Sequence, residues 1–229
     1  MNGFKYCSDP TSVKFTVRKL RRCRVIRETP HWSPRFQGEN EMTRCSWVSK
    51  EPIYLDYHDK EWGVPVKDGR ELFEMLCLEG QQAGLSWITV LRKRENYRQN
   101  FHAFDPVKIA KMTDDDVERL VLDAGIIRHR GKIKAIIGNA KAYLAMEASG
   151  ESFSEFIWNF VGGQPVINNP LGPEGVPAKT TVSDAMSRAL KKKGFKFIGS
   201  TICYAFMQAA GLVNDHQSYC FCHPANQPS

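Results

Sequence analysis

The sequence predicts an all-α protein. Three observations carry that reading: apolar residues recur at three- and four-residue spacing from position 69 onward, start and stop signals bracket those stretches, and no alternating strand pattern of convincing length occurs. In chain order, "RELFEMLCLEGQQ" places Leu72, Phe73, Leu76 and Cys77 on one stripe, and "LSWITVLRKRENYRQNF" follows with Trp87, Val90, Leu91 and Tyr97. "TDDDVERLVLDAG" opens on Thr113 as an N-cap, sets three carboxylates where the helix dipole favours them, and ends at Gly125. "GKIKAIIGNAKAYLAME" is a further amphipathic helix and "SEFIWNFV" a short one. "VSDAMSRALKKKG" stops at Gly194, and Ser200 opens the next helix. Between them "GGQPVINNPLGPEGVPAKTT", with four prolines, reads as a loop.

With 229 residues, 42% of them hydrophobic and 25% charged, the chain holds one large or two small domains with ample core. No apolar run reaches the length of a membrane span, and the N-terminus lacks the apolar stretch of a secretory signal, so a soluble intracellular protein is expected. Seven scattered cysteines do not suggest a disulfide framework, and Cys77 and Cys203, among apolar neighbours, read as buried thiols. The net charge of +7 is unevenly spread, since nine basic and four acidic residues put +5 of it into residues 1–41. An anion-binding surface in the remainder must therefore be a local patch. That leader, with Pro10, Pro30 and Pro34 and no sustained helical period, is expected to be disordered or weakly ordered, ahead of a folded domain over residues 42–229. Its "RKLRRCRVIR" reads as a solvated tail or as a targeting or nucleic-acid arm.

Near the C-terminus stands "NDHQSYCFCH", two cysteines and two histidines with nothing apolar around them in sequence. His216 and Cys220 are four apart and would share a face of a helix; Cys45 and His58, in "RCSWVSKEPIYLDYHDKEW", form a similar pair. Together they could close a Cys₂His₂ tetrahedron clipping the start of the domain to its end. The Cys45–His58 separation does not match a compact finger, Cys222 and His223 are rival ligands, and an ordinary helix end is the plain alternative.

In "CLEGQQAGLSWITV", Glu79 sits where an apolar stripe ends, beside a turn and Trp87. A carboxylate and an indole at such a corner could cup a flat, electron-poor base; the alternative is a solvated glutamate and a core tryptophan. Tyr57 and Trp62 add aromatic material. In "KKKGFKFIGSTICYAFMQ", glycines flank a short turn between two helices, where outward amides could seat a DNA phosphate in the field of Lys191, Lys192, Lys193 and Lys196. A plain corner with a solvated lysine run is the alternative.

From "TRCSWVSKEPIYLDYHDKEWGVPV" through "LFEMLCLEGQQAGLSWITVLRKRENYR", "FDPVKIA", "AGIIRHRGKIKAIIGNA" and "GFKFIGSTICYAFMQAAGLVNDH", the chain resembles the type I 3-methyladenine DNA glycosylase family over residues 42–223. The resemblance implies a helix-hairpin-helix glycosylase fold, with Gly194, Lys196, Gly199 and Ser200 facing the DNA backbone. It implies one structural zinc ion on Cys45, His58, His216 and Cys220, and a base pocket of Glu79, Tyr57 and Trp87. Leu85 fits a wedge that fills the gap left by a flipped nucleotide. The implied enzyme is a monomeric hydrolase that removes 3-methyladenine from double-stranded DNA, in bacterial cytoplasm with access to the nucleoid and no membrane partner. Related enzymes that also cut the strand carry a lysine just after the hairpin. Here Ser200 and Thr201 stand there, which implies a monofunctional enzyme. Asp215, near a position where the wider superfamily uses an aspartate, is expected to be structural beside His216. Met42 resembles the family's usual start, which makes residues 1–41 an upstream extension or a dispensable arm. Two other readings remain: a helical DNA-binding module without catalysis, and a glycosylase of altered base preference.

Overall fold

Several helix starts among the described residues are set by short polar side chains. Asp68 accepts hydrogen bonds from the amides of Arg70 and Glu71, and Thr180 and Ser183 bond each other's amides reciprocally. At Asp116 the carboxylate reaches back to the Thr113 amide. Each satisfies amide donors that a first turn leaves open. The computed structural model describes residues 43–227, so the leader expected over residues 1–41 and its boundary lie outside the described residues.

Among the described residues the helices are α1 (Pro52–Lys60), α2 (Gly69–Gln82), α3 (Trp87–Leu91), α4 (Arg94–Asn100), α5 (Pro106–Ile109), α6 (Asp114–Leu120), α7 (Arg130–Ala148), α8 (Phe153–Trp158), α9 (Thr181–Lys192) and α10 (Ser200–Ala209). The helical class is as expected. The proline-rich loop is not wholly irregular: its β1 (Val166–Ile167) pairs in parallel with β2 (Val213–Asn214), Val166 opposite Val213. Helix α6 ends at Leu120, five residues before Gly125. The Asp123 carboxylate takes the Gly125 amide at 2.6 Å and the Asn100 side chain at 2.7 Å, a local competitor that turns the backbone out of the helix. The stretch from Trp87 to Asn100 forms two helices with a bend at Arg92–Lys93, and Val90, Leu91 and Tyr97 are all buried.

Helix α2 runs through the middle, packed against α3, α7, α8 and α10. Leu72, Phe73 and Leu76 are completely buried, as are Ile133 of α7 and Phe206 of α10, in one apolar cluster. Cys77 and Cys203 lie within it as expected, and burial pushes the Cys203 thiol up to about 12. The turn between α9 and α10 is tied down from two sides. Asn139 of α7 bonds both the amide and the carbonyl of Lys196, and Ser187 Oγ donates to the Ile198 carbonyl at 2.6 Å.

Candidate functional site

Cys45 lies ahead of α1, His58 in its last turn, and His216 and Cys220 in the segment after β2. That segment is not helical, as the four-residue spacing had suggested; it turns after β2, with the Cys220 amide on the Gln217 carbonyl. The turn still brings all four side chains together, their donor atoms within 4.8 Å of one another. Nor are the thiols unshielded: Cys45 and Cys220 are buried, and the rings of Trp47, Trp62 and Phe221 pack around the two imidazoles.

The spacing fits one small ion. Zinc–sulfur and zinc–nitrogen bonds at a tetrahedral angle put neighbouring S and N atoms about 3.6 Å apart. Here Cys45 Sγ is 3.5 Å from His216 Nδ1, and Cys220 Sγ is 3.5 Å from His58 Nε2 and 3.6 Å from His216 Nδ1. The outer nitrogens are committed. His58 Nδ1 donates to Asp59 at 2.8 Å, itself gripped by Arg44, and His216 Nε2 donates to the Trp62 carbonyl at 3.0 Å. That leaves each inner nitrogen as a bare lone pair, the state a metal requires. The Gln217 and Cys222 amides point at the Cys45 and Cys220 sulfurs. Hydrogen bonds from Cys222 and Cys45 hold the Cys220 thiol well below its ordinary pKa, and those two thiols, keeping the protons, are pushed up. His223 is no rival, since its nitrogens serve the Asn168 carbonyl and the Ala225 amide. The Cys222 sulfur rests against the carbonyls of His58 and Asp59.

Glu79, Tyr57 and Trp87 also meet. Glu79, on the last turn of α2, is 3% exposed rather than solvated. Its Oε2 and the Trp87 Nε1 lack hydrogen-bond partners among the described residues. Burial raises the Glu79 pKa to about 8, so the free protein holds a neutral carboxylic acid there at pH 7. The buried Tyr57 ring lies 5.4 Å from that of Trp87. These three residues wall two cavities of about 350 and 360 Å³. One of them is also lined by Trp47, Tyr54, Trp62, Gln82 and Gln208, with Glu79 its sole carboxylate. The other is edged by ion pairs, Arg94 with Glu61 and Arg98 with Glu74. A flat ring system with polar edges suits the first, where rings supply stacking faces and Glu79 an unmet polar contact.

Lys132 explains how the corner after α2 is held. Its buried ammonium donates to the Gln81 and Ala83 carbonyls, both at 2.7 Å, closing the C-terminus of the helix that carries Glu79. Leu85 stands out from the following turn, 42% exposed. Gly194, Lys196 and Gly199 are exposed and Ser200 half-buried at the turn into α10. The Lys193 ammonium pairs with Glu151, which removes part of the lysine run's field.

Asp215 is structural in its contacts. It accepts from Tyr204 Oη, Gln208 Nε2 and Asn168 Nδ2, each at 2.7 Å, fastening the segment after β2 to α10 and to the proline loop. Asp215→Ala strands three donors and is expected to cost on the order of 3 kcal/mol, measured by urea unfolding.

Sequence reasoning did not single out Trp47, Tyr54, Gln82, Gln208, Asp59 or Lys132. Tyr54 was within reach, three residues before Tyr57 on one helix; Gln208 arrives from α10 and left no local signal.

The methyladenine glycosylase family model matches residues 47–223. The chain is 65% identical over 187 residues to DNA-3-methyladenine glycosylase 1 of Escherichia coli strain K12, covering 82% of this chain and all of that protein. A crystal structure of 3-methyladenine DNA glycosylase I superposes with a TM-score of 0.79 at 65% identity, covering 80% of this chain and 100% of the other. A tyrosine-to-phenylalanine variant of 3-methyladenine DNA glycosylase I, solved in complex with 3-methyladenine, does so with a TM-score of 0.76 at 38% identity, over 82% of this chain and 99% of that one. With a family match running across α1 to α10 and both walls of the aromatic cavity, the chain belongs to the methyladenine glycosylase family.

Proposed function

We propose that this protein draws 3-methyladenine out of double-stranded DNA into the aromatic cavity and hydrolyses its N-glycosidic bond, leaving an abasic site. One observation carries the reading: a buried, unpartnered glutamate at the wall of a cavity lined by tryptophan and tyrosine rings. The named relatives are methyladenine glycosylases, which supports it.

The chemistry follows from the base. A 3-methylated adenine in DNA carries positive charge, so its bond to the sugar is already weak and the base leaves readily. The protein has to extrude the nucleotide and hold the base while water attacks the sugar carbon. Tyr57 and Trp87 provide the stacking faces. Glu79, neutral when the pocket is free, gives its proton to solvent as the cationic base enters beside it and then holds the base by charge and hydrogen bond. Neutral adenine offers no such gain, so the pocket discriminates by charge. Ser200 and Thr201 follow the α9–α10 turn, and neither can form the Schiff base that strand cleavage requires, so the reaction stops at base release.

In this reading α9, the turn and α10 form the helix-hairpin-helix, with Gly194, Lys196, Gly199 and Ser200 against phosphates and Leu85 filling the space of the extruded nucleotide. Cys45, His58, His216 and Cys220 would hold one zinc ion. With four protein ligands no position would be left for an activated water, so the metal would supply a cross-link between the two ends of the domain. The protein works as a monomer on duplex DNA. Among the described residues no helix is long and apolar enough to cross a membrane. Residues 1–41 are either an upstream extension or a dispensable basic arm adding nonspecific phosphate contact.

The test is release of free base from methylated duplex DNA, with calorimetric titration of free 3-methyladenine. Glu79→Gln, which removes the charge that meets the cationic base in DNA, is expected to slow base release roughly ten- to a hundredfold, and Trp87→Ala to cost the titration of the neutral free base about 1 to 3 kcal/mol of stacking. Undiminished release in the first variant together with unchanged free-base affinity in the second would move the pocket elsewhere. Duplex binding without any base release would instead identify a DNA-binding module.

A further inference from the structure

The tip of the α9–α10 turn holds an apolar side chain where the backbone favours glycine. Phe197 has φ +57°, a region that crowds any Cβ against the backbone, yet its ring is 39% exposed and gains little from the core. The surroundings enforce this. Asn139 clamps Lys196 through amide and carbonyl, Ser187 holds the Ile198 carbonyl, and Ile198 is itself buried, so the residue between them has no freedom to relax. A Cβ on Gly80 would stand 3.2 Å from the Phe197 carbonyl oxygen, so the tip sits directly on α2, one turn before the corner that carries Leu85. Across from it, the Phe197 ring meets the exposed His129 edge-on at 6.0 Å, and a Cβ on Gly131 would stand 3.6 Å from the ring. Exposed Lys196 and Arg128 adjoin this pair in sequence.

A strained, exposed aromatic ring held rigidly beside cations is a poor core element and a good contact for a partner that is apolar and anionic at once. Duplex DNA opened by an extruded nucleotide has that character: unstacked base and sugar faces lie between phosphates. We propose that Phe197 is a second apolar contact to the duplex, packing against the sugar and base faces beside the extruded nucleotide while Leu85 occupies the gap. The inference rests on the glycosylase reading and assigns Phe197 to opening the duplex, with no part in recognising the base.

Phe197→Gly and Phe197→Asn both suit the backbone conformation while removing the ring, and Phe197→Tyr keeps it. Four quantities are measured on each: thermal unfolding, titration of free 3-methyladenine, affinity for undamaged and methylated duplex, and single-turnover base release. Glycine and asparagine are expected to leave the melting temperature equal or higher and free-base affinity unchanged, while duplex affinity and single-turnover release each fall about tenfold or more; tyrosine restores both. Full duplex affinity and release in the glycine and asparagine variants overturns the proposal, as does a fall that tracks loss of folding or of free-base binding. Should the unsubstituted protein bind duplex but release no base, the glycosylase reading fails, and Phe197 is then judged on duplex affinity alone.

Discussion

Glu79→Gln is expected to stabilise the protein by on the order of 3 kcal/mol at pH 7, and the gain should grow with pH. Burial raises the Glu79 pKa from 4.5 to about 8. Between those values the unfolded chain has released a proton that the folded protein still holds, so folding weakens by about 1.4 kcal/mol for each pH unit. The stability carried by the protonated carboxyl is fully present below pH 4.5 and lost as pH rises through about 8. Glutamine keeps the shape of the protonated acid and does not titrate, so it escapes that loss. Urea unfolding at pH 5, 7 and 8.5 checks this: the variant and the unsubstituted protein should nearly coincide at pH 5 and diverge to a plateau above pH 8. A gap independent of pH would mean that Glu79 finds a partner in the folded protein. The expected outcome joins higher stability to poorer base binding, as at sites where an unmet polar group is kept for its ligand.

Loss of metal is the second large effect. On the proposed zinc site, a chelator or His216→Ala is expected to unlink Cys45 and His58 from His216 and Cys220, whose side chains meet across most of the domain's length. Structural zinc contributes folding free energy outright, on the order of 10 kcal/mol where it is the whole core. In this domain α2, α7 and α10 supply an apolar core of their own, and a loss of about 5 kcal/mol is expected, a fall in melting temperature of roughly 10–20 °C. Elemental analysis should find one zinc per chain before and none after, and hydrogen exchange should show residues 43–60 and 213–227 opening first. A metal-free protein with an undiminished melting temperature would contradict the assignment.

What the sequence made legible depended on whether a feature is local. The α2 stripe of Leu72, Phe73 and Leu76 and the cap at Thr113 are written within a few residues of where they act, and the structure follows them. The end of α6 was misjudged because glycine is only one way to stop a helix, and the Asp123 side chain stops this one earlier. His216 and Cys220 were paired by a helical rule that does not apply there; they meet because β2 and the turn after it carry them to α1. That Glu79 lacks a partner could not be read at all, since depth and the absence of a cation are properties of the assembled walls. Its place at the end of an apolar stripe beside Trp87 offers a base cup as one of two readings, and the resemblance to family stretches selects it.

Trp47 and Trp62 have a double position: their rings lie 5.3 and 4.7 Å from the imidazoles of His58 and His216, and both also line the aromatic cavity beside Trp87. The protein thus carries its own optical reporters. Ultraviolet emission from these indoles should shift when the ion enters and quench when a stacked base enters, and the two events can be followed in one unlabelled sample. It also means that the light signal of one event depends on the other, so a titration of base recorded without control of zinc would mix two colours into one curve.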